Sequence, residues 1–176
     1  MLYRGKRYVA LAAFDRDNVD AAWDAFRYDP LVGADSTRDE WLERAEDDED
    51  EAFNDFAGEY WDSLERYESL RSGVACFRAL RLPADVDPAV LERLGTDWSL
   101  RRAGADTYRF GKGDVTVVYR AKVDTGQLDP MQTVIRYIAF GAEEDEVTWR
   151  ENVPVYVYDV ELEDGSVVPI NDWRRT

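Results

Sequence analysis

The sequence predicts an α+β fold, in which a helical N-terminal part is followed by a mainly antiparallel β-sheet core. Two observations favour this order. Up to Gly73, apolar residues recur at helical spacing, whereas after it they fall in short runs rich in Val, Tyr and Trp between Gly and Pro turn signals. The 176 residues fit a single domain over 1–176, with 1–73 as the helical part and 74–176 as the β-rich core.

The helical part is predicted to start with a short strand over 7–14. A capping Asp17 or Asn18 precedes the first helix, and Ser36 opens a second helical region. The next helix carries six apolar residues on one face: Phe53, Phe56, Tyr60, Trp61, Leu64 and Tyr67. We interpret this stripe as core packing rather than a ligand box, and the acidic run before it as a solvated face or bend. Gly73 is expected near the C′ position, just after the helix ends.

The β-rich core starts with a predicted strand over 74–82. A short helix over 87–95 and a short helix or turn over 98–110 follow. A tight turn over 111–114 then leads into a strong strand over 115–123.

The last third of the chain is predicted to finish the sheet. Residues 128–140 indicate a loop and a short helix. The runs 146–149 and 153–162 are typical of strands, and 163–170 is typical of a closing hairpin.

Charge and composition exclude several functions. The formal net charge is −16, from 38 acidic and 22 basic residues, which opposes direct binding of a nucleic-acid backbone or an anionic membrane. The chain has no histidine, so Ser-His-Asp and Cys-His catalysis are excluded and no metal is expected. The single cysteine, Cys76, lies in an apolar run and predicts a buried free thiol.

The compartment is expected to be the cytoplasm. The N-terminus lacks the apolar segment of a signal peptide, and no run of about 18 apolar residues occurs. Lysine is confined to Lys6, Lys112 and Lys122. This acidic, lysine-poor composition fits either adaptation to high salt or a GC-rich genome.

Three features of the β-rich core point to chemistry. Arg78 lies inside an apolar strand, in FRALRL. Trp98 and Ser99 follow a glycine, in GTDWSLRRAGADTYRF. Glu144 and Glu146 form a Glu-x-Glu directly before the strand-like VTW.

Over about residues 74–162, these motifs resemble the arginine–serine–glutamate class of ADP-ribosyltransferases, the cholera-toxin-like branch. The resemblance implies a split β-sheet core and NAD as the substrate, with a protein as acceptor, through an arginine side chain. It implies that Arg78, Ser99 and Trp98 bind NAD and that Glu146, Glu144 and Ser99 are catalytic. The family's Ser-Thr-Ser is reduced here to WSL, which keeps only the first hydroxyl.

The implied chemistry suits the residue types. Breaking the bond to nicotinamide passes through an oxocarbenium-like transition state, which the carboxylate of Glu146 would stabilise while Ser99 orients it. Arg78 would hold the phosphates by its planar fork of donors. On an extended segment, Glu144 would point to the same side as Glu146 and accept the proton of the acceptor.

The same resemblance extends to the surroundings of the site. Phe140 would contact the acceptor, and Arg101 and Arg102 would offset the acidic field around NAD. The N-terminal helices are expected to cap the cleft. Glu143 and Asp145 are expected to face solvent.

Each feature also has a simpler interpretation. Arg78 can pair with a surface carboxylate, Ser99 can cap a helix, and Glu144 and Glu146 can be solvated charge. Arg81 is a rival of Arg78 on the opposite side of the strand. Two further hypotheses therefore stand beside the transferase: a non-enzymatic acidic interaction protein that mimics nucleic acid, and an inactive transferase-like fold with a structural role.

Overall fold

A computed structural model describes residues 18–28, 37–83, 94–107, 113 and 115–173, with the backbone alone for 141–144 and 173. Within this part, helices combine with antiparallel strands, which confirms the α+β class. The predicted strand over 7–14 and residues 87–93 of the predicted helix over 87–95 lie outside the described residues, while Leu94 and Gly95 are described and are not helical.

The helices are α1 Val19–Tyr28, α2 Arg38–Asp47, α3 Glu49–Ser69, α4 Arg102–Thr107, α5 Pro130–Glu144 and α6 Ile170–Trp173. The strands are β1 Ala75–Leu82, β2 Asp97–Ser99, β3 Val115–Lys122, β4 Glu146–Thr148, β5 Val157–Glu161 and β6 Val167–Pro169. None of the helices in the described ranges is long and apolar enough to cross a membrane.

The described residues group into two compact units, of which the first contains α1, α2, α3 and residues 129–142. Its core is aromatic: the rings of Trp23 and Phe56 lie 4.9 Å apart, and those of Phe26 and Phe56 lie 5.2 Å apart. The predicted apolar stripe of α3 supplies this core, except that Trp61 is 39% exposed. The expected division at residue 73 lies close to the unit boundary after Leu70, but a single-domain arrangement stays a prediction.

Two helix ends differ from the sequence prediction. α3 ends at Ser69, four residues before Gly73, so Gly73 is not its C′ residue. α5 is a 15-residue helix, not a loop and a short helix. Its start is set by Asp129, whose carboxylate accepts from the Gln132 amide at 2.9 Å, and by Pro130 in the first turn. Every residue from Met131 to Ala139 is buried, including polar Gln132, so the sequence pattern of α5 does not show how completely the helix is covered.

The second unit contains the sheet, whose strand order is β4-β2-β1-β3-β5-β6. All of its strand pairs are antiparallel. Within the described ranges these strands form one continuous sheet, so the expectation of a split sheet is wrong. β1 and β3 pair along their whole length, and β3 is rich in the β-branched and aromatic residues that suit a half-buried pleated surface.

One cross-strand row fixes the two faces of the sheet. It runs through Glu146, Ser99, Phe77, Arg120 and Asp159, on β4, β2, β1, β3 and β5. Directly opposed residues of antiparallel strands point to the same side, and alternate residues point to opposite sides. We call the side that carries this row the Ser99 face.

The other side, the Arg78 face, carries Arg78 and Trp98. Its apolar members Cys76, Trp98 and Tyr119 are buried, which confirms the predicted buried thiol. On the Ser99 face, α4 packs Ala105 against Ala79 and Val118. The sheet therefore presents two chemically different faces.

Candidate functional site

The sheet brings Ser99 and Glu146 together. They are direct partners of β2 and β4. The Leu100 amide donates to the Asp145 carbonyl, and the Trp149 amide donates to the Thr96 carbonyl, each at 2.8 Å. These bonds make Ser99 and Glu146 a non-hydrogen-bonded pair, the kind whose side chains lie closest. The sequence predicted this neighbourhood.

Arg78 lies on the opposite face. It follows Phe77, the direct partner of Ser99, so its side chain points away from the Ser99 face. Its guanidinium donates to the Asp97 carbonyl and lies over Gly95, where an added Cβ would be 2.6 Å from Nη2. The expectation that Arg78, Ser99 and Glu146 line one cleft is therefore wrong, because adjacent residues of a strand face opposite ways.

Ser99 and Trp98 serve the local fold. The Ser99 hydroxyl accepts from the Arg101 amide at 3.0 Å and donates to the Arg101 carbonyl at 2.8 Å. This local turn leads the chain from β2 towards α4, but Ser99 is not the helix N-cap held as an alternative, because α4 begins only at Arg102. Trp98 is 1% exposed and its Nε1 donates to the Gly95 carbonyl at 3.3 Å, so it is a core residue rather than a contact for NAD.

The Glu-x-Glu does not form an extended segment. Glu144 is the last residue of α5, Asp145 has a φ of 51°, and Glu146 starts β4. The expected extended segment is therefore wrong, since a helix end and a left-handed residue lie between Glu144 and Glu146. The Glu144 and Glu143 side chains lie outside the described part of the chain.

Asp145 is an ion-pair residue rather than solvated charge. Its carboxylate accepts from Arg101 Nε at 3.3 Å, and its side chain is only 15% exposed. The expectation that Asp145 faces solvent is wrong, because the turn between α5 and β4 directs it towards Arg101.

Arg102 is bound on both sides. It donates to both Glu161 oxygens, at 3.0 and 2.7 Å, and pairs with Asp106 at 2.6 Å. The hydrogen bonds from Arg102 lower the pKa of Glu161 below its usual value. Arg102 therefore joins α4 to β5, which opposes its expected role near NAD.

Sequence reasoning missed Arg120. It lies on the Ser99 face, and its guanidinium is 5.7 Å from the Phe77 ring. Its signal was the same as that of Arg78, an arginine within an apolar strand, but the side each faces depends on the strand register. Phe140, the expected acceptor contact, belongs to α5, is half-buried and lies 5.4 Å from the Arg136 guanidinium.

A second candidate surface lies in the first unit. Residues 38–69 hold fourteen Asp and Glu residues, all exposed, against three arginines, a net charge of −11 out of −16. Five of the carboxylates recur every three or four residues along one side of α3: Asp48, Glu51, Asp55, Glu59 and Asp62. We call these five residues the acidic stripe. In the described residues, no group of acidic side chains has the geometry to hold a metal ion.

The chain thus offers two separate candidate sites, the Ser99–Glu146 pair in the second unit and the acidic stripe in the first. Comparisons with family models, with curated proteins and with solved structures give no match to this chain.

Proposed function

We propose that the protein is a non-enzymatic acidic interaction protein, whose acidic stripe binds the basic groove of a nucleic-acid-binding partner. The observation that carries the proposal is the concentration of charge: residues 38–69 supply a net −11 of the total −16. Solubility depends on the net charge of a protein and does not require that charge to be concentrated on two helices.

The spacing of the acidic stripe supports mimicry of a phosphate row. Its five carboxylates span fifteen residues, from the N-cap Asp48 to Asp62 of α3, and neighbours are about 4.5–6 Å apart along the axis, at 1.5 Å per residue. One DNA strand carries a phosphate about every 3.4 Å of helix axis. A regular helix therefore holds a row of negative charges at a comparable spacing. Its rigidity comes from the buried Phe56 and Tyr60 on the adjoining side of α3.

Competition against DNA tests this function. The probe is a basic protein that binds DNA without sequence preference, in complex with a labelled duplex. We expect the intact chain to compete with the duplex for this protein and to release labelled DNA, and we expect the release to weaken as salt is added. The variant Glu59→Gln/Asp62→Asn removes two charges of the stripe, and we expect it to compete several-fold less well, because fewer counterions are released from the partner.

The matched control is Glu163→Gln/Asp172→Asn, which removes the same charge from exposed positions of the second unit. This control is expected to compete like the unaltered chain. Equal loss in both variants would mean that only net charge matters and would contradict the proposal, as would an absence of displacement at about 0.05 M salt.

A second candidate function is transfer of ADP-ribose from NAD to a protein arginine. It is favoured by one observation, the direct pairing of Ser99 with Glu146. Glu146 would stabilise the oxocarbenium-like transition state and Ser99 would orient it. Arg120, on the same face, would hold the phosphates in place of Arg78. The position of Arg78 and the helical Glu144 weigh against this candidate.

Nicotinamide release from labelled NAD, with a cell lysate as a source of acceptors, tests the second candidate. Activity that falls at least a hundredfold in Glu146→Gln but not in Glu163→Gln would support it. No release by the intact chain with any lysate would eliminate it and leave the first proposal untouched.

A further inference from the structure

The two ends of α2 are held very differently. At the start, the Thr37 amide donates to the Ala139 carbonyl at 3.0 Å, and the Thr37 hydroxyl lies 3.3 Å from the Ile138 and Ala139 carbonyls. At the other end, Glu46 and Asp47 close the helix, and four more acidic residues follow directly, Asp48 to Glu51. The first end is anchored to α5 and the last end is crowded with negative charge.

Packing holds α2 only weakly. None of its residues is buried. Trp41 and Ala45 are partly buried against the core, and the Trp41 ring meets Phe26 and Phe56 edge-on at 6.3 and 6.0 Å. Arg44 lies over Trp41 at 4.6 Å and pairs with Asp55 of α3. The helix therefore depends on a few contacts made from one side.

The negative charges in the last turn of α2 destabilise that helix. A helix C-terminus carries partial negative charge, so Glu46 and Asp47 are unfavourable there. Asp39, Glu43 and Asp47 are also spaced four residues apart, which places like charges next to each other. The same acids suit α3, because they precede its N-terminus, where its cap Asp48 accepts from the Glu51 amide at 3.0 Å. The conflict is thus confined to the end of α2.

We propose that the C-terminal half of α2, residues 43–47, is a salt-operated element of the fold. At high ionic strength, cations screen its carboxylates and the segment is helical and docked through Ala45. At low ionic strength the repulsion acts in full, and the segment frays from Asp47 towards the anchored Thr37. The range of the interaction changes from about 30 Å at 0.01 M salt to about 3 Å at 1 M. The element works independently of the proposed function.

Amide hydrogen exchange of the intact chain tests this inference. The informative amides are those near the end of α2, such as that of Asp48, which donates to the Arg44 carbonyl at 2.9 Å. Between 0.01 and 1 M NaCl, we expect their protection to rise roughly three- to thirty-fold relative to amides in the middle of α3, such as that of Tyr60. Because α3 belongs to the same unit as α2, this reference removes any change in the stability of that unit or in the chemistry of exchange.

Two variants of equal charge separate the proposed cause from general screening. Glu46→Gln/Asp47→Asn relieves the C-terminal turn and is expected to protect the segment at 0.01 M salt and remove most of its salt dependence. Asp20→Asn/Glu40→Gln removes one charge from the first turn of α1 and one from the first turn of α2, where carboxylates are favourable, and is expected to keep the salt dependence. Protection that does not change with salt, or two variants that behave alike, would overturn the proposal.

Discussion

At the scale of single residues, Arg78 and Gly95 form a structural contact where the sequence predicted a ligand contact. Gly95 has a φ of +76°, which glycine adopts readily and other residues rarely do. The absent side chain leaves room for the Arg78 guanidinium, which is fixed by the Asp97 carbonyl. Gly95 and Arg78 therefore depend on each other.

We expect Gly95→Ala to lower the free energy of unfolding by about 2–4 kcal/mol, because backbone strain adds to the displacement of Arg78. Gly165→Ala is the control, since Gly165 has a φ of +81° but nothing within 4 Å of an added Cβ. It should cost only the strain, about 1 kcal/mol. Urea unfolding measures both, and equal costs would mean that Arg78 moves away freely.

Cys76 gives a second prediction at this scale. Burial raises the pKa of its thiol to about 12, so the reactive thiolate is scarce at pH 8. We expect a thiol reagent at pH 8 to modify the native protein very slowly and the urea-unfolded protein within minutes. Rapid modification without urea would show that β1 opens locally.

At the scale of elements, α4 is fastened to β5 by Arg102 and Glu161. The hydrogen bonds from Arg102 lower the pKa of Glu161, so the native state favours its charged form. The resulting stability is present above the unfolded pKa of about 4.3 and is lost as the pH falls through the lower native pKa.

We therefore expect Glu161→Gln to cost about 1–2 kcal/mol at pH 7 and progressively less as the pH falls below about 4.3, because the contribution of the charged side chain is lost as native Glu161 takes up a proton. Glu163→Gln, at an exposed position, should have no effect over the same pH range. Urea unfolding at a series of falling pH values measures the difference, and a penalty for Glu161→Gln that does not decrease with pH would contradict the assignment.

Elements also show what a sequence can and cannot predict. α1, α3, β1 and β3 were predictable because their apolar residues repeat with a clear period. The Ser99–Glu146 neighbourhood was predictable from the resemblance alone. The side of the sheet that Arg78 faces was not predictable, because it depends on the strand register, and a shift of one residue turns every side chain to the other side. Glu144 was expected on an extended segment, but it is the last residue of α5. The helix extends further than its sequence pattern indicates, and its polar residues are buried too.

At the scale of the whole molecule, the charge of −16 is unevenly spread, with −11 in residues 38–69. Repulsion among these carboxylates disfavours the compact state, and salt screens it. The total charge was read directly from the composition. That most of this charge is exposed on two helices of one unit could be seen only from the structure.

We expect the urea midpoint of unfolding to rise between 0.05 and 1 M NaCl, because screening reduces the repulsion in the native state more than in the expanded one. The rise should be smaller in Glu59→Gln/Asp62→Asn than in Glu163→Gln/Asp172→Asn, although both variants carry the same net charge. A midpoint that falls with salt would mean that ion pairs such as Arg102–Glu161 outweigh the repulsion.

The outermost strands of the sheet, β4 and β6, are each only three residues long, and β6 ends in Pro169. A long bare outer strand is a template on which other chains can add and aggregate. Here each edge of the sheet exposes only a short stretch of main chain. The β4 edge begins with the charged Glu146, and the β6 edge ends with Pro169, which lacks an amide donor. Within the described residues, the sheet is thus poorly suited to extension by further chains, which favours a protein that stays dispersed when concentrated.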